Sequence, residues 1–139
     1  MVVMDEEIVL KEIVEDFINI LEKGDVENFK NLWHPKALKF GLGNTNELMV
    51  MNKDEMIKFA LEGIQGLRKQ IPDQEVIRFQ IDEIIRIQLI ENIAASVEVK
   101  WYMILPGSKG SHHSFIQFAK DNKKWFIVNI LEKGFEESL

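Results

Sequence analysis

The sequence predicts an α+β domain, with three helices first and a long antiparallel meander last. Apolar residues recur at three-and-four spacing up to about residue 67, the period of buried helix stripes. From Val76 onward the period falls towards two. The connections in that second half are too short for anything but antiparallel neighbours.

Leu10, Ile13, Val14, Phe17, Ile20 and Leu21 form the first stripe. Gly24 ends that helix, because glycine enters the left-handed region without steric cost. Asp25 then caps a second helix, whose Val26, Phe29, Leu32 and Trp33 share a face. His34-Pro35 stops it, since the residue before proline is pushed out of the helical region. Ala37 to Gly41 reads as a short strand, 41–46 as a loop, and Leu48 to Met51 as a second short strand. Asn52 and Glu55 have the spacing of a capping box opening a third helix. Met56, Phe59, Ala60, Ile64 and Leu67 lie on its apolar side, and Ile71-Pro72-Asp73 breaks it.

Four strands are expected at 76–90, 93–105, 111–120 and 124–132. Glu91-Asn92 and Asp121-Asn122-Lys123 are tight hairpin signals, and Pro106 to Gly110 reads as a longer turn. The strands are apolar on both faces: Phe126, Val128 and Ile130 alternate with Trp125, Ile127 and Leu131. A sheet wetted on one side would alternate apolar with polar. The second face is therefore expected to meet another copy of the chain, giving a homodimer through the outer sheet face.

Seventeen basic against twenty-three acidic residues give a net charge of −6 over 139 residues. That balance excludes a broad nucleic-acid footprint and a polybasic membrane anchor. With no cysteine there is no disulfide framework, thiolate nucleophile or sulfur-ligated metal. Met1 to Met4 is followed at once by Asp5-Glu6-Glu7, the reverse of a signal peptide's charge order. No run approaches the ~20 apolar residues of a membrane span. One cytoplasmic domain spanning 1–139 is expected.

The order of elements and several local signatures resemble the nuclear transport factor 2-like superfamily. The carriers are the first stripe leading into Gly24-Asp25, then Phe29, then Leu32-Trp33-His34-Pro35-Lys36-Ala37. The helix start Asn52-Lys53-Asp54-Glu55-Met56 and the terminal hairpin from Phe118 to Asn129 complete the pattern. The superfamily includes ketosteroid isomerases, SnoaL-like polyketide cyclases and lumazine-binding-like proteins. The resemblance implies a cystatin-like roll, in which a curved sheet wraps the helices into a cone whose open end holds a ligand. It also allows a test of the isomerase chemistry, which needs a tyrosine and two acids. Those roles align with Phe17, Gly41 and Phe115, none of which can perform them. The acidic residue often found at the start of the penultimate strand in lumazine-binding-like proteins aligns with Ser114.

The resemblance puts His113 on the concave face with Phe115, Gln117 and Ala119. A histidine in an apolar pocket can move a proton near neutral pH. Phe17, Trp33, Phe40, Val99, Trp101, Phe115, Gln117 and Val128 are expected to line the pocket with it. Val99 and Trp101 are read as inward; in the opposite register Glu98 would become the carboxylate partner of His113. Asn129 interrupts an apolar face, and is either an interface amide or a pocket group moved there by a bulge. Glu6, Glu7, Lys11, Glu12, Glu15 and Asp16 read as a solvated helix face. His112 and His113 point to opposite faces and His34 is distant in sequence, so no metal site is expected. No phosphate-binding glycine loop or nucleophile elbow occurs, and no cofactor is expected.

The reading that follows is a homodimer binding a small, largely apolar organic molecule in the cone without converting it. One alternative is a cyclase, dehydratase or isomerase with His113 as general acid–base, Gln117 or Tyr102 holding an oxygen. A second alternative is a protein-association module.

Overall fold

The computed structural model describes residues 5–70 and 77–138. The expected break at Ile71-Pro72-Asp73, the strand start at Val76 and the segment Met1 to Met4 lie outside the described residues.

Helix α1 (Glu6–Lys23) starts at Asp5, whose carboxylate accepts from Glu7 N, and ends at Gly24 with φ 66°. Its stripe buries Leu10, Val14, Phe17 and Ile18. Helix α2 (Val26–Leu32) is capped by Asp25, which accepts from Asn28 N at 3.3 Å. Helix α3 (Lys53–Gln70) carries the complete capping box. Glu55 N donates to Asn52 Oδ1 at 2.9 Å, and Asn52 N donates back to Glu55 Oε1 at 3.2 Å.

The strands are β1 (Trp33–Leu42), β2 (Leu48–Asn52), β3 (Arg78–Ile90), β4 (Ala94–Leu105), β5 (Ser108–Asp121) and β6 (Lys124–Ser138). They form a six-stranded sheet in the order β2-β1-β6-β5-β4-β3. β1 begins four residues earlier than expected: Pro35 stops the helix, but its fixed φ suits an extended chain at an irregular point of pairing. The β1–β6 junction is parallel, whereas the other junctions are antiparallel. A parallel pair needs a long crossover, and the whole chain between β1 and β6 provides it.

Two turns set the register. Asn122 and Lys123 both adopt positive φ, 55° and 66°, as a two-residue hairpin turn requires. The expected long turn at 106–110 is instead a two-residue turn of Pro106 and Gly107, with Leu105 opposite Ser108 and Gly107 at φ 80°. A five-residue turn would have set Trp101 against Phe115; the shorter one sets Trp101 against His112. That odd shift moves every side chain of β5 to the other face.

A bulge does the same in β6. Gln117 pairs with Asn129 but Phe118 with Ile127, so Val128 is the extra residue. Trp125 and Ile127 are buried before it, Ile130 and Glu132 are buried beyond it, and Leu131 is exposed. The bulge thus puts Ile130 on the buried face of Trp125 and Ile127 and takes Leu131 off it.

The core lies between the concave sheet face and the helices, built from Leu10, Val14, Phe17, Trp33, Val97, Val99, Trp101, Ile116, Phe118 and Ile127 among others. Each fully buried large apolar side chain contributes roughly 1.5–3 kcal/mol. Phe17, Phe29 and Trp33 meet with ring centroids 5.8 to 6.1 Å apart, joining α1 and α2 to the start of β1. Glu6 departs from the expected solvated face, accepting from Trp125 Nε1 at 2.8 Å and Lys120 Nζ at 2.9 Å. The indole hydrogen bond, then the lysine, hold its carboxyl below the ordinary value. No described helix is long and apolar enough to cross a membrane.

Candidate functional site

A cavity of about 290 Å³ opens between α3 and the concave face of the sheet. Its apolar walls include Phe17, Phe29, Trp33, Met56, Phe79, Trp101 and Met103; Phe59 and Gly63 of α3 lie on its exposed side. Phe79, Trp101 and His112 form a stacked row, with centroids 6.0 and 4.1 Å apart. Among the described residues three polar side chains also line it: Lys39 of β1, His112 of β5 and Glu132 of β6.

Those three meet at Glu132. Lys39 Nζ lies 3.0 Å from Glu132 Oε2, and His112 Nδ1 lies 3.5 Å from the same oxygen. Ser114 donates from Oγ to Glu132 Oε1 at 2.6 Å and accepts from Trp101 Nε1 at 3.0 Å. Burial alone would raise the Glu132 carboxyl. The Lys39 charge, then His112 and the Ser114 hydroxyl, outweigh burial and hold it well below the usual carboxylate range. Glu132 is therefore an ionised group inside the cone at neutral pH.

His112 fits there because its neighbours are small. A Cβ on Gly134, directly across the ladder, would stand 3.3 Å from His112 Nδ1, and one on Gly110 would stand 3.4 Å from Nε2. Both glycines leave room for the imidazole between the strands and the Trp101 indole. The Nδ1 atom is buried, and its approach to Glu132 is not a well-aligned hydrogen bond. The indole N–H of Trp33 is likewise buried, with no hydrogen-bond partner among the described residues.

The expected pocket residues divide. Phe17, Trp33 and Trp101 line the cavity, and Val99 is fully buried on the same face. Phe40, His113, Phe115, Gln117 and Val128 do not line it. Phe115 is exposed and Phe40 pairs with exposed Val50 and Leu131 on the convex face. His113 accompanies Phe115 there, its ring stacked on the phenyl at 5.2 Å. Its Nε2 lies 2.7 Å from Glu98 Oε2, so the anticipated pair forms with Val99 and Trp101 still inward. The two-residue turn at Pro106-Gly107 is the cause, because it turns His113 outward to the face where Glu98 already points. The bulge carries Asn129 to that face also, where Asn129 Nδ2 donates to Gln117 Oε1 at 3.0 Å. His34 contributes to the end of α2: its Nδ1 accepts from Lys36 N, and its Nε2 meets Asp121 at 3.1 Å.

Sequence reasoning missed Lys39, His112 and Glu132. The nearest signal was the expected acid at Ser114. An acid does stand there, one strand over, since Ser114 and Glu132 are direct partners in the β5–β6 ladder. Among the described residues no group of three or more His, Asp or Glu side chains is arranged to hold a metal ion.

Residues 5–131 match the family described as Putative lumazine-binding. The chain belongs to this family. No curated protein sequence matches it. A nuclear transport factor 2-like protein of unknown function from Shewanella baltica superposes with a TM-score of 0.67 at 16% identity, covering 93% of each chain. A cystatin-like domain of unknown function from Nostoc punctiforme gives 0.71 at 15% identity, covering 95% of this chain and 78% of the other. A nuclear transport factor 2-like protein from Cytophaga hutchinsonii gives 0.64 at 14% identity, covering 98% and 100%. These likenesses establish the nuclear transport factor 2-like fold of this lumazine-binding-family chain.

Proposed function

We propose that this lumazine-binding-family protein is a cytoplasmic homodimer that binds one small, flat, largely apolar organic molecule in the cone. The observation that carries the reading is the cavity of about 290 Å³, with aromatic walls and, among the described residues, the polar groups of Lys39, His112 and Glu132. The family's description supports a small-molecule ligand of this kind. The version of catalysis that used His113 loses its geometry, because His113 faces away from the cavity.

A naphthalene-sized probe, 2-methoxynaphthalene, tests the reading. It should bind the protein, and Gly63→Trp should abolish binding by filling the cavity from α3, where an added Cβ meets nothing within 4 Å. Equal binding to both proteins would place the probe elsewhere and overturn the reading. Native mass spectrometry of the purified protein should show the dimer.

The convex face supports the dimer. Val50, Phe40, Leu131 and Phe115 form one continuous row across β2, β1, β6 and β5. Val50, Leu131 and Phe115 are exposed at 50%, 45% and 38%, an apolar ladder that a second copy would cover.

A further inference from the structure

The polar end of the cavity holds a charge pair that is complete without His112. Glu132 has Lys39 on one oxygen and the Ser114 hydroxyl on the other. The imidazole nevertheless sits against this pair, stacked on Trp101, with two glycines giving it space. Its buried Nδ1 makes no well-aligned hydrogen bond, with Glu132 Oε2 3.5 Å away. A buried ring nitrogen without a well-aligned partner needs an explanation. The tautomer supplies one. In the neutral imidazole, the Glu132 carboxylate 3.5 Å from Nδ1 favours the proton on that nitrogen, which leaves the Nε2 lone pair as an acceptor. Nδ1 is sealed, and His112 lines the cavity.

We propose that the cavity selects flat ring compounds carrying an O–H or N–H donor on their edge, such as phenols or lactams, and that His112 Nε2 accepts this hydrogen. Glu132 is a positioning residue in this arrangement: it fixes the tautomer and faces Nδ1. Trp101 and Phe79 supply the ring-sized apolar wall, and Lys39 places a cation beside any negative charge left on the ligand's oxygen. The inference rests on the cavity being a ligand site, and it adds the ligand's polar requirement.

The test compares 2-naphthol with 2-methoxynaphthalene, which share a ring system but differ in the donor. The wild-type protein should bind 2-naphthol about tenfold more tightly, the effect of one neutral hydrogen bond in a dry site. His112→Phe, which keeps a stacked ring but offers no acceptor, should bind the two compounds equally. Glu132→Gln should reduce the preference as well, because the amide no longer dictates the tautomer. Equal binding of both compounds to the wild-type protein would overturn this inference while leaving the cavity reading intact. Binding of neither would overturn both. The wild-type comparison decides the matter even if a variant fails to fold.

Discussion

Ser114 and Glu132 face each other across the β5–β6 ladder, and the serine hydroxyl donates to the carboxylate at 2.6 Å. The same hydroxyl accepts from Trp101, so the pair fixes one wall of the cavity and the position of its anion. Glu132→Gln should destabilise the protein by about 2–4 kcal/mol, because Lys39 loses its counter-charge in a largely desolvated site. Ser114→Ala should cost about 1–3 kcal/mol by stranding two polar partners. The double variant should cost less than the sum, since both changes break one network. Denaturant unfolding of the three variants measures all of this.

The depressed carboxyl of Glu132 gives a pH dependence whose sign is fixed. Its folded value lies below the ordinary 4.5, so its stabilising contribution is complete above about pH 5. That contribution is lost as pH falls through the folded value. The stability gap between wild type and Glu132→Gln should therefore narrow from pH 6 towards pH 2. A gap that widens on acidification would contradict the assignment.

Two glycines should respond oppositely to alanine. In Gly134→Ala the new methyl meets His112 Nδ1 at 3.3 Å, and the imidazole is already backed by Trp101 at 4.1 Å. The variant should lose about 1 kcal/mol or more through overpacking. Gly63→Ala lies within α3 with nothing near the added methyl, and should gain about 0.5–1 kcal/mol from helix propensity. Thermal unfolding distinguishes the two directions.

Adjacent histidines should behave differently. His113 and Glu98 form a part-exposed pair on the convex face, so His113→Ala should change stability by about 1 kcal/mol or less. It should leave 2-naphthol affinity unchanged. Titration calorimetry of His113→Ala beside His112→Phe checks this, and loss of affinity in the former would contradict the assignment of faces.

The convex row predicts the assembly state. Leu131→Lys puts a charge at the centre of the apolar ladder between Phe40 and Phe115. Sedimentation velocity should show a monomer for this variant and a dimer for the parent.

The helices were legible because their signals are local. Gly24 and Asp25 occupy the cap positions that their conformational preferences dictate, and Asn52 and Glu55 close a capping box within four residues. The family resemblance carried the curved sheet, and the inward pair Val99 and Trp101 followed from apolar alternation. The exposed side of β5 was not legible, since both alternating sets hold aromatic or aliphatic residues. Parity then rests on turn length, and Pro106 to Gly110 offers turn residues for either length.

The family resemblance implied the roll and its cone; the sequence by itself determined an α+β chain with three helices, a terminal meander and no cysteine chemistry. These depend on periodicity, charge and short-range caps, all of which are local in the chain. Only the tertiary structure decided which histidine faces the cavity and that Glu132 lies beneath it. A single residue counted into the Pro106-Gly107 turn or the Val128 bulge reverses every side chain beyond it. Lys39, His112 and Glu132 come from three strands, and no spacing in the sequence links them. They meet because the parallel pairing of β1 with β6 and the antiparallel pairing of β6 with β5 bring those positions to one concave face.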